Sequence, residues 1–402
     1  MNSEKKTIIH ITNNHSAFDD RIFYKELCSL TKEYNCYELT ATKDGKRLTN
    51  MSGKLLEQGV YDNVHCLAYS ANRMNFVIRC MRKFLPFIYY PISATFEAKR
   101  ILKVLQKENI QADLIHFHDL VFAPVALKLK RKLCCKTIFD SHEFFFSYPF
   151  NAGLTKKTTK KATMELLKWK KAIKGSDFVI GCTKTMNNLI SLIRQDDRHG
   201  IVYNSSMFEA KTQKRTIEGK EKIVLLHEGA MPFNRGLKLM LEIFRDEYIR
   251  EHFQLRIVGT IKGAEKAYYE EKCQEYNLTE DNIYFTGWVD YIDVPKELQG
   301  DIGILFFEKA FNTFYSMPNK LYNYHVAGVP VLATQCAELS DTIKEYGTGV
   351  IVERNVEAVK RGLMNIVENY SDFQERVLEN QKKFHWSSDE VRLFEIYDTV
   401  LE

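Results

Sequence analysis

The sequence predicts an α/β protein built as two doubly wound domains, each a parallel sheet between layers of helices. Three observations carry this. The 402 residues exceed what one hydrophobic core organises and suit two domains of nearly equal size. Apolar runs of strand length alternate with helical stretches, and that order makes parallel strands covered on both faces. The alternation stops once, in the polar stretch 205–222, and then begins again.

The first series of expected strands is 7–12, 37–42, 64–68, 114–117, 137–140 and 178–182. The second is 223–227, 254–259, 283–287, 302–307, 329–333 and 349–352. The last segment, 386–401, reads as a helix with Ser387 or Ser388 as N-cap and Asp389 and Glu390 in its first turn. Val391, Phe394, Tyr397, Val400 and Leu401 fall on one face of it. In such sheets ligands bind at the carboxyl ends of the strands.

Composition narrows the function classes. Hydrophobic residues at 45% and charged residues at 27% are ordinary for a globular protein. The start leads into a strand and not a signal peptide, and the longest apolar run, 84–92, has nine residues with two prolines. Spanning a bilayer takes ~20, so a cytoplasmic protein without a membrane span is expected. Nine scattered cysteines without a Cys-x-x-Cys pair read as reduced, buried thiols, and no zinc-ligand spacing occurs. The formal charge of +5 is uneven: segments 73–107 and 154–175 each carry eight basic residues against one acid. That asymmetry points to a polyanionic partner. On a helix the lysines of 154–175 cover one broad face, with Ala162, Leu166, Trp169 and Ile173 opposite. Such a face suits an anionic membrane surface or plain solvent. With Trp169 the one aromatic among these lysines and no recognition motif, nucleic acid is not an expected partner.

Four constellations could do chemistry. In the first half one strand ends in His116-Phe117-His118-Asp119 and another in Asp140-Ser141-His142-Glu143, which sets imidazoles and carboxylates on one rim. The polar loop after the first strand runs from Asn13 into a helix with Asp19 or Asp20 as N-cap, followed by Arg21 and Glu26. It has no Gly-rich phosphate loop, which argues against a dinucleotide fingerprint. In the second half, Gly229 at a strand end precedes a loop that delivers Arg235, a permanent cation. Finally, Ser316-Met317-Pro318-Asn319-Lys320 links a strand to a helix start, a place that favours anions.

Taken in order, these segments resemble the glycosyltransferases of family 4, which have the GT-B fold. The resemblance implies two Rossmann-like domains with an interdomain cleft and a C-terminal crossover helix. The expected domains are 1–205 with 386–402, binding acceptor, and 206–385, binding nucleotide-sugar. It implies that His142 faces the donor sugar, while His118, Asp119 and Glu143 shape the cleft floor or orient the acceptor. Asn13, Asp19 and Arg21 match an acceptor-side start found in a subgroup of these enzymes. Gly229, Arg235, Gly259, Gly287, Trp288, Ser316, Pro318, Asn319 and Lys320 match donor-binding positions.

The chain departs from the family pattern in three places. Ala230 stands where one phosphate-gripping cation is usual, with Lys320 the expected compensator. Asn323 and Tyr315 stand where the family has two Glu, of which the second accepts from donor-ribose hydroxyls. Asn can accept and donate, but without charge.

The implied reaction is attack of an acceptor hydroxyl on the anomeric carbon of a nucleotide-diphosphate sugar, with retention. No metal and no cofactor are expected. The implied setting is bacterial surface-polysaccharide assembly on a glycan or polyprenyl-linked glycan, with the protein peripheral on the inner face of the membrane. A catalytically silent homologue acting as a binding or scaffold subunit, and a nucleotide-sugar 2-epimerase of the same fold, are the alternatives.

Overall fold

A computed structural model describes residues 5–70 and 86–402. It comprises two units, Met1–Tyr203 with Glu390–Glu402, and Asn204–Asp389. Of the basic segment 73–107, residues 73–85 lie outside the described residues.

The first unit carries β1 (Thr7–Thr12), β2 (Asn35–Thr42), a short antiparallel pair β3 (Leu48–Thr49) and β4 (Leu55–Leu56), β5 (Gly59–Tyr61) and β6 (Val64–Ser70). These are followed by β7 (Leu114–His118), β8 (Lys136–Ser141), β9 (Phe178–Gly181) and β10 (His199–Ile201). Eight of them form one sheet in the order β10-β9-β8-β7-β1-β2-β6-β5, parallel except at β5. Ile8, Ile9, Ile11, Leu114, Ile115, Ile138 and Val179 are fully buried. β-Branched runs of this kind suit strands covered on both faces.

The second unit holds β11 (Ile223–Glu228), β12 (Phe253–Val258), β13 (Ile283–Phe285), β14 (Ile302–Leu305), β15 (Val331–Thr334) and β16 (Gly349–Val352). The six pair in parallel in the order β13-β12-β11-β14-β15-β16. Leu225, Leu255, Ile257, Ile302, Ile304 and Leu332 pack with Leu239, Met240, Phe244 and Leu363 in its core.

Each sheet has one point where the winding reverses. It lies between β1 and β7 in the first unit and between β11 and β14 in the second. Crevices for ligands open at the carboxyl ends of such strand pairs.

Several expectations need correction. β15 starts at Val331 rather than 329, because the Val329 N–H closes the preceding helix on the Tyr324 carbonyl and Pro330 has no N–H to give. β10, the separate β3–β4 pair and the β5 edge were not expected; each strand is two or three residues long and none stands in an apolar run. The last helix is Ser387–Leu401, so neither serine precedes it, and the Ser387 N–H donates to His385 Nδ1 instead. Its buried face is Leu393, Ile396, Tyr397 and Val400, while Val391 is 57% exposed. The return to the first unit begins at Glu390, since Trp386 N–H bonds the Ser206 carbonyl and Asp389 holds Ser205 Oγ. Helix Lys156–Gly175, capped by Thr155, buries Ala162, Trp169, Ala172 and Ile173, but Leu166 faces solvent.

Candidate active site

At the first unit's switch point, the loop after β1 and the ends of β7 and β8 bring His15, Asp19, His118, Asp119, Asp140 and His142 together. Asp19 is the helix N-cap, accepting from the N–H groups of Arg21 and Ile22. The helix it starts, Asp20–Leu27, is a wide, π-type turn that sends both Arg21 and Glu26 inward. His15 lies between two carboxylates, with Nδ1 2.9 Å from Asp19 and Nε2 2.9 Å from Asp119. Burial alone would lower its pKa, but these two bonds push it up to about 11. His15 is therefore imidazolium at neutral pH. A raised folded-state pKa gives stability that is full below the unfolded value of ~6.5 and is lost as pH rises through about 11. We expect the His15 ring resonances to show no titration below pH 9 in a two-dimensional NMR series. A midpoint near 6.5 would contradict the double contact.

Beneath this rim lies a buried polar framework. Arg21 Nε is 2.8 Å from Asp140 Oδ2 and 3.0 Å from Glu26 Oε1, and Nη2 donates to Asp140 Oδ1 at 3.2 Å. Its remaining donors reach the carbonyls of Val202 and Tyr203. Burial outweighs the Arg21 field at Glu26 and holds that carboxyl well above its usual range. At Asp140 burial is overcome by Arg21, and the carboxyl stays well below it. Histidines fill the space between: His118 Nδ1 lies 3.2 Å from His142 Nε2, and His118 Nε2 lies 3.1 Å from His10 Nδ1. His10 Nε2 and His116 Nδ1 meet the Tyr397 hydroxyl at 2.8 and 2.7 Å. Burial lowers His118 to about 4, so it is neutral.

His142 stands at the edge of this framework, with Nε2 2.9 Å from Asp140 Oδ2. A carboxylate only accepts, so the proton rests on Nε2 and leaves Nδ1 as the nitrogen for a substrate. His10, Glu26, His116 and His118 each offer one ligand atom within 4.8 Å of the others. Arg21 already sits on Glu26, and His10 and His116 share Tyr397. We therefore read the set as a hydrogen-bonded framework.

Of the sequence-derived residues in this unit, His118, Asp119 and His142 meet at one point. Glu143 is bonded by the Tyr148 hydroxyl, and Asn13 reaches Glu97. Arg21 is a core cation rather than a rim residue. The sequence assigns no site role to His10, His15, Glu26, His116, Asp140 or Tyr397, although Glu26, His116 and Asp140 stand inside its motifs. Asp140 carried a signal: an acid in a buried strand two residues before a His.

The second unit gathers its own cluster at its switch point. β11 ends at Glu228-Gly229, and Gly229 has φ +89°, a conformation glycine adopts without strain. β12 ends at Gly259, where an added Cβ would stand 2.5 Å from the Gly229 carbonyl oxygen, so the two strand ends touch. Helix Asn319–Val326 starts beside them after Pro318. Lys320, only 8% exposed, extends along Gly229 and donates from Nζ to His227 Nε2 at 3.1 Å. Burial first, then the Arg235 guanidinium, hold the Lys320 ammonium well below its ordinary range, with Glu228 opposing them. Burial and then Lys320 push His227 down, so it accepts as a neutral ring.

One helical turn on, Asn323 Nδ2 donates to both oxygens of Glu228, at 2.9 and 3.1 Å. Gly229, Arg235, Gly259, Lys320 and Asn323 thus gather around β11. Ser316 bonds back to the Asn312 carbonyl. Gly287 has φ +83°, and Trp288 is 51% exposed with its indole N–H on Asp290.

The fold defines the class: two doubly wound units of the GT-B type. Residues 208–384 match the family model described as "Glycosyl transferases group 1". Sucrose-phosphate synthase from Thermosynechococcus elongatus is similar over 98% of this chain and 99% of its own, with a TM-score of 0.73 and 13% identity. HepE from Anabaena, in complex with UDP and glucose, covers 98% of this chain and 100% of its own, with a TM-score of 0.68 and 10% identity. A chitobiosyldiphosphodolichol beta-mannosyltransferase from Yarrowia lipolytica is 29% identical over 104 residues, 26% of this chain and 22% of that enzyme. Residues 208–384 thus carry the match to the group 1 glycosyl transferases, and the chain as a whole has the GT-B fold.

Proposed function

We propose that this protein transfers a sugar from a nucleotide-diphosphate-sugar donor to a hydroxyl of a glycan or lipid-linked glycan, with retention of configuration. The observation that carries the reading is Lys320. Burial and the Arg235 guanidinium disfavour its charged form while Glu228 favours it, so an arriving anion would add to Glu228 in stabilising the ammonium. A diphosphate at the N-terminus of helix Asn319–Val326 would meet Lys320, Arg235 and the helix dipole at once. The same groups would take up charge on the leaving nucleoside diphosphate without a metal ion. HepE, of the same fold, is seen with UDP and glucose, which supports a donor of this kind.

In the first unit, His142 held by Asp140 is the group suited to the reacting sugar, and Asp119 and Glu143 suit acceptor hydroxyls. The lysines of helix Lys156–Gly175 lie on the surface together with Leu166 and Leu167, the latter 60% exposed. A basic face carrying apolar side chains favours a polyprenyl-linked acceptor on an anionic bilayer. Among the described residues no helix is long and apolar enough to cross a membrane. We place the reaction in bacterial surface-polysaccharide assembly, at the inner face of the cell membrane.

Saturation-transfer NMR against a panel of UDP-, GDP-, ADP-, dTDP- and CMP-sugars tests the donor site. One donor class should bind, and Lys320→Ala should weaken it at least about 30-fold through loss of a charge-assisted phosphate contact. Binding that survives Lys320→Ala unchanged would move the diphosphate elsewhere. No binding to any donor would favour the scaffold reading.

A further inference from the structure

We infer that Tyr397 is a positioning residue: through His10 and His118, its hydroxyl fixes which nitrogen of the His142 ring carries the proton. The inference rests on the reading above that His142 meets the reacting sugar. Tyr397 lies on the last helix, Ser387–Leu401, while His10 is on β1, His116 and His118 are on β7, and His142 follows β8. Tyr397, His10, His116 and His118 are fully buried, where a polar group needs a partner. Burial holds the three histidines below the ordinary imidazole range, so each is neutral and has one ring proton.

Every link between these groups holds one hydrogen, so the direction of one link sets the others. Asp140 sets the first, because its carboxylate only accepts and Oδ2 lies 2.9 Å from His142 Nε2. The same His142 N–H faces His118 Nδ1 at 3.2 Å, which is then the bare nitrogen. His118 donates from Nε2 to His10 Nδ1, and His10 donates from Nε2 to the Tyr397 oxygen. The Tyr397 hydroxyl is left to donate to His116 Nδ1. The His116 proton therefore stands on Nε2, which meets no hydrogen-bond partner among the described residues and lies 3.9 Å from the same Asp140 oxygen. Glu26 Oε2 flanks the His10–His118 link at 3.6 and 3.9 Å, so it stands near the one N–H of that link in either direction. Without the Tyr397 hydroxyl His10 loses its acceptor, and His118 can move its proton to Nδ1, 3.5 Å from Asp140 Oδ2. His118 and His142 would then compete for one oxygen. Part of the His142 rings would carry the proton on Nδ1, the atom that otherwise accepts from the sugar.

Long-range nitrogen–proton NMR separates protonated from bare ring nitrogens and needs no donor. It is applied to the wild type and to Tyr397→Phe, which removes only the hydroxyl. In the wild type all four histidines should carry the proton on Nε2. In Tyr397→Phe, His10, His118 and His142 should shift towards a mixture of the two tautomers. On the donor that the wild type accepts, kcat should fall about tenfold, the worth of one buried hydrogen bond, with the donor KM within about threefold. A wild-type proton on Nδ1 of any of the four would overturn the inference, whether or not the variant folds. A Tyr397→Phe protein that keeps every tautomer would also overturn it, even with lower activity. A wild-type order that dissolves in Tyr397→Phe would bear it out, and absence of turnover in both proteins would then overturn the sugar-transfer reading alone.

Discussion

Arg21→Met should cost about 3–5 kcal/mol of unfolding free energy at pH 7, the penalty for removing one partner of a buried ion pair. The size follows from what remains. Asp140 and Glu26 are fully buried, and Arg21 is the guanidinium that faces both. Methionine fills much of the volume, so the cost is electrostatic rather than a cavity. The pH dependence gives a signature. In the wild type the Asp140 carboxyl is held below its usual range, so it adds stability above the unfolded value that is lost as pH falls through the folded one. Without Arg21, burial would raise the same carboxyl. The variant's deficit should then shrink towards pH 4 and widen above it. Urea unfolding at pH 4, 5.5, 7 and 8.5 measures this. A uniform deficit would mean that Arg21 acts by packing, and adding Asp140→Asn should recover part of a charge-based loss.

His142→Ala should slow donor turnover by about 10²–10⁴-fold, the range for a positioned acid or base group. Its effect on donor affinity should stay within about threefold, because Lys320 and Arg235 lie in the other unit. Asp140→Asn tests the relay. It leaves His142 in place but can present an N–H to Nε2, favouring the wrong tautomer. Turnover should fall with an altered pH profile while the nucleotide still binds. Equal loss of affinity and turnover in both variants would mean that the first unit's rim collapses as a whole.

The architecture was legible because buried parallel strands announce themselves. Ile8, Ile9 and Ile11, or Val329 to Ala333, form apolar runs too short for helices, flanked by polar turns and glycines. What could not be read was contact between runs. Nothing near His10 shows that His116, His118 and Tyr397, up to 387 residues away in sequence, converge on it. Arg21 and Glu26 were legible as a helix pair. Their turn toward Asp140 comes from the π-type winding of Asp20–Leu27, which a 3.6-residue period does not anticipate. In the helix alone Asn323 is the absence of an acid; its acidic partner stands on the strand. Its bonds to Glu228 are tertiary. Ser387 and Ser388 are cap residue types, but they lie inside the helix and the Ser387 N–H finds the ring of His385.

The measurement that tests the central claim most directly is phosphorus NMR of the wild type incubated with each nucleotide-sugar of the panel over hours. The account predicts slow release of nucleoside diphosphate from one donor class. Lys320→Ala should release it far more slowly at the same donor concentration, and His142→Ala should bind the donor but turn it over about 10²–10⁴-fold more slowly. A wild type that neither binds nor turns over any donor would contradict the account and make this chain a binding or scaffold homologue.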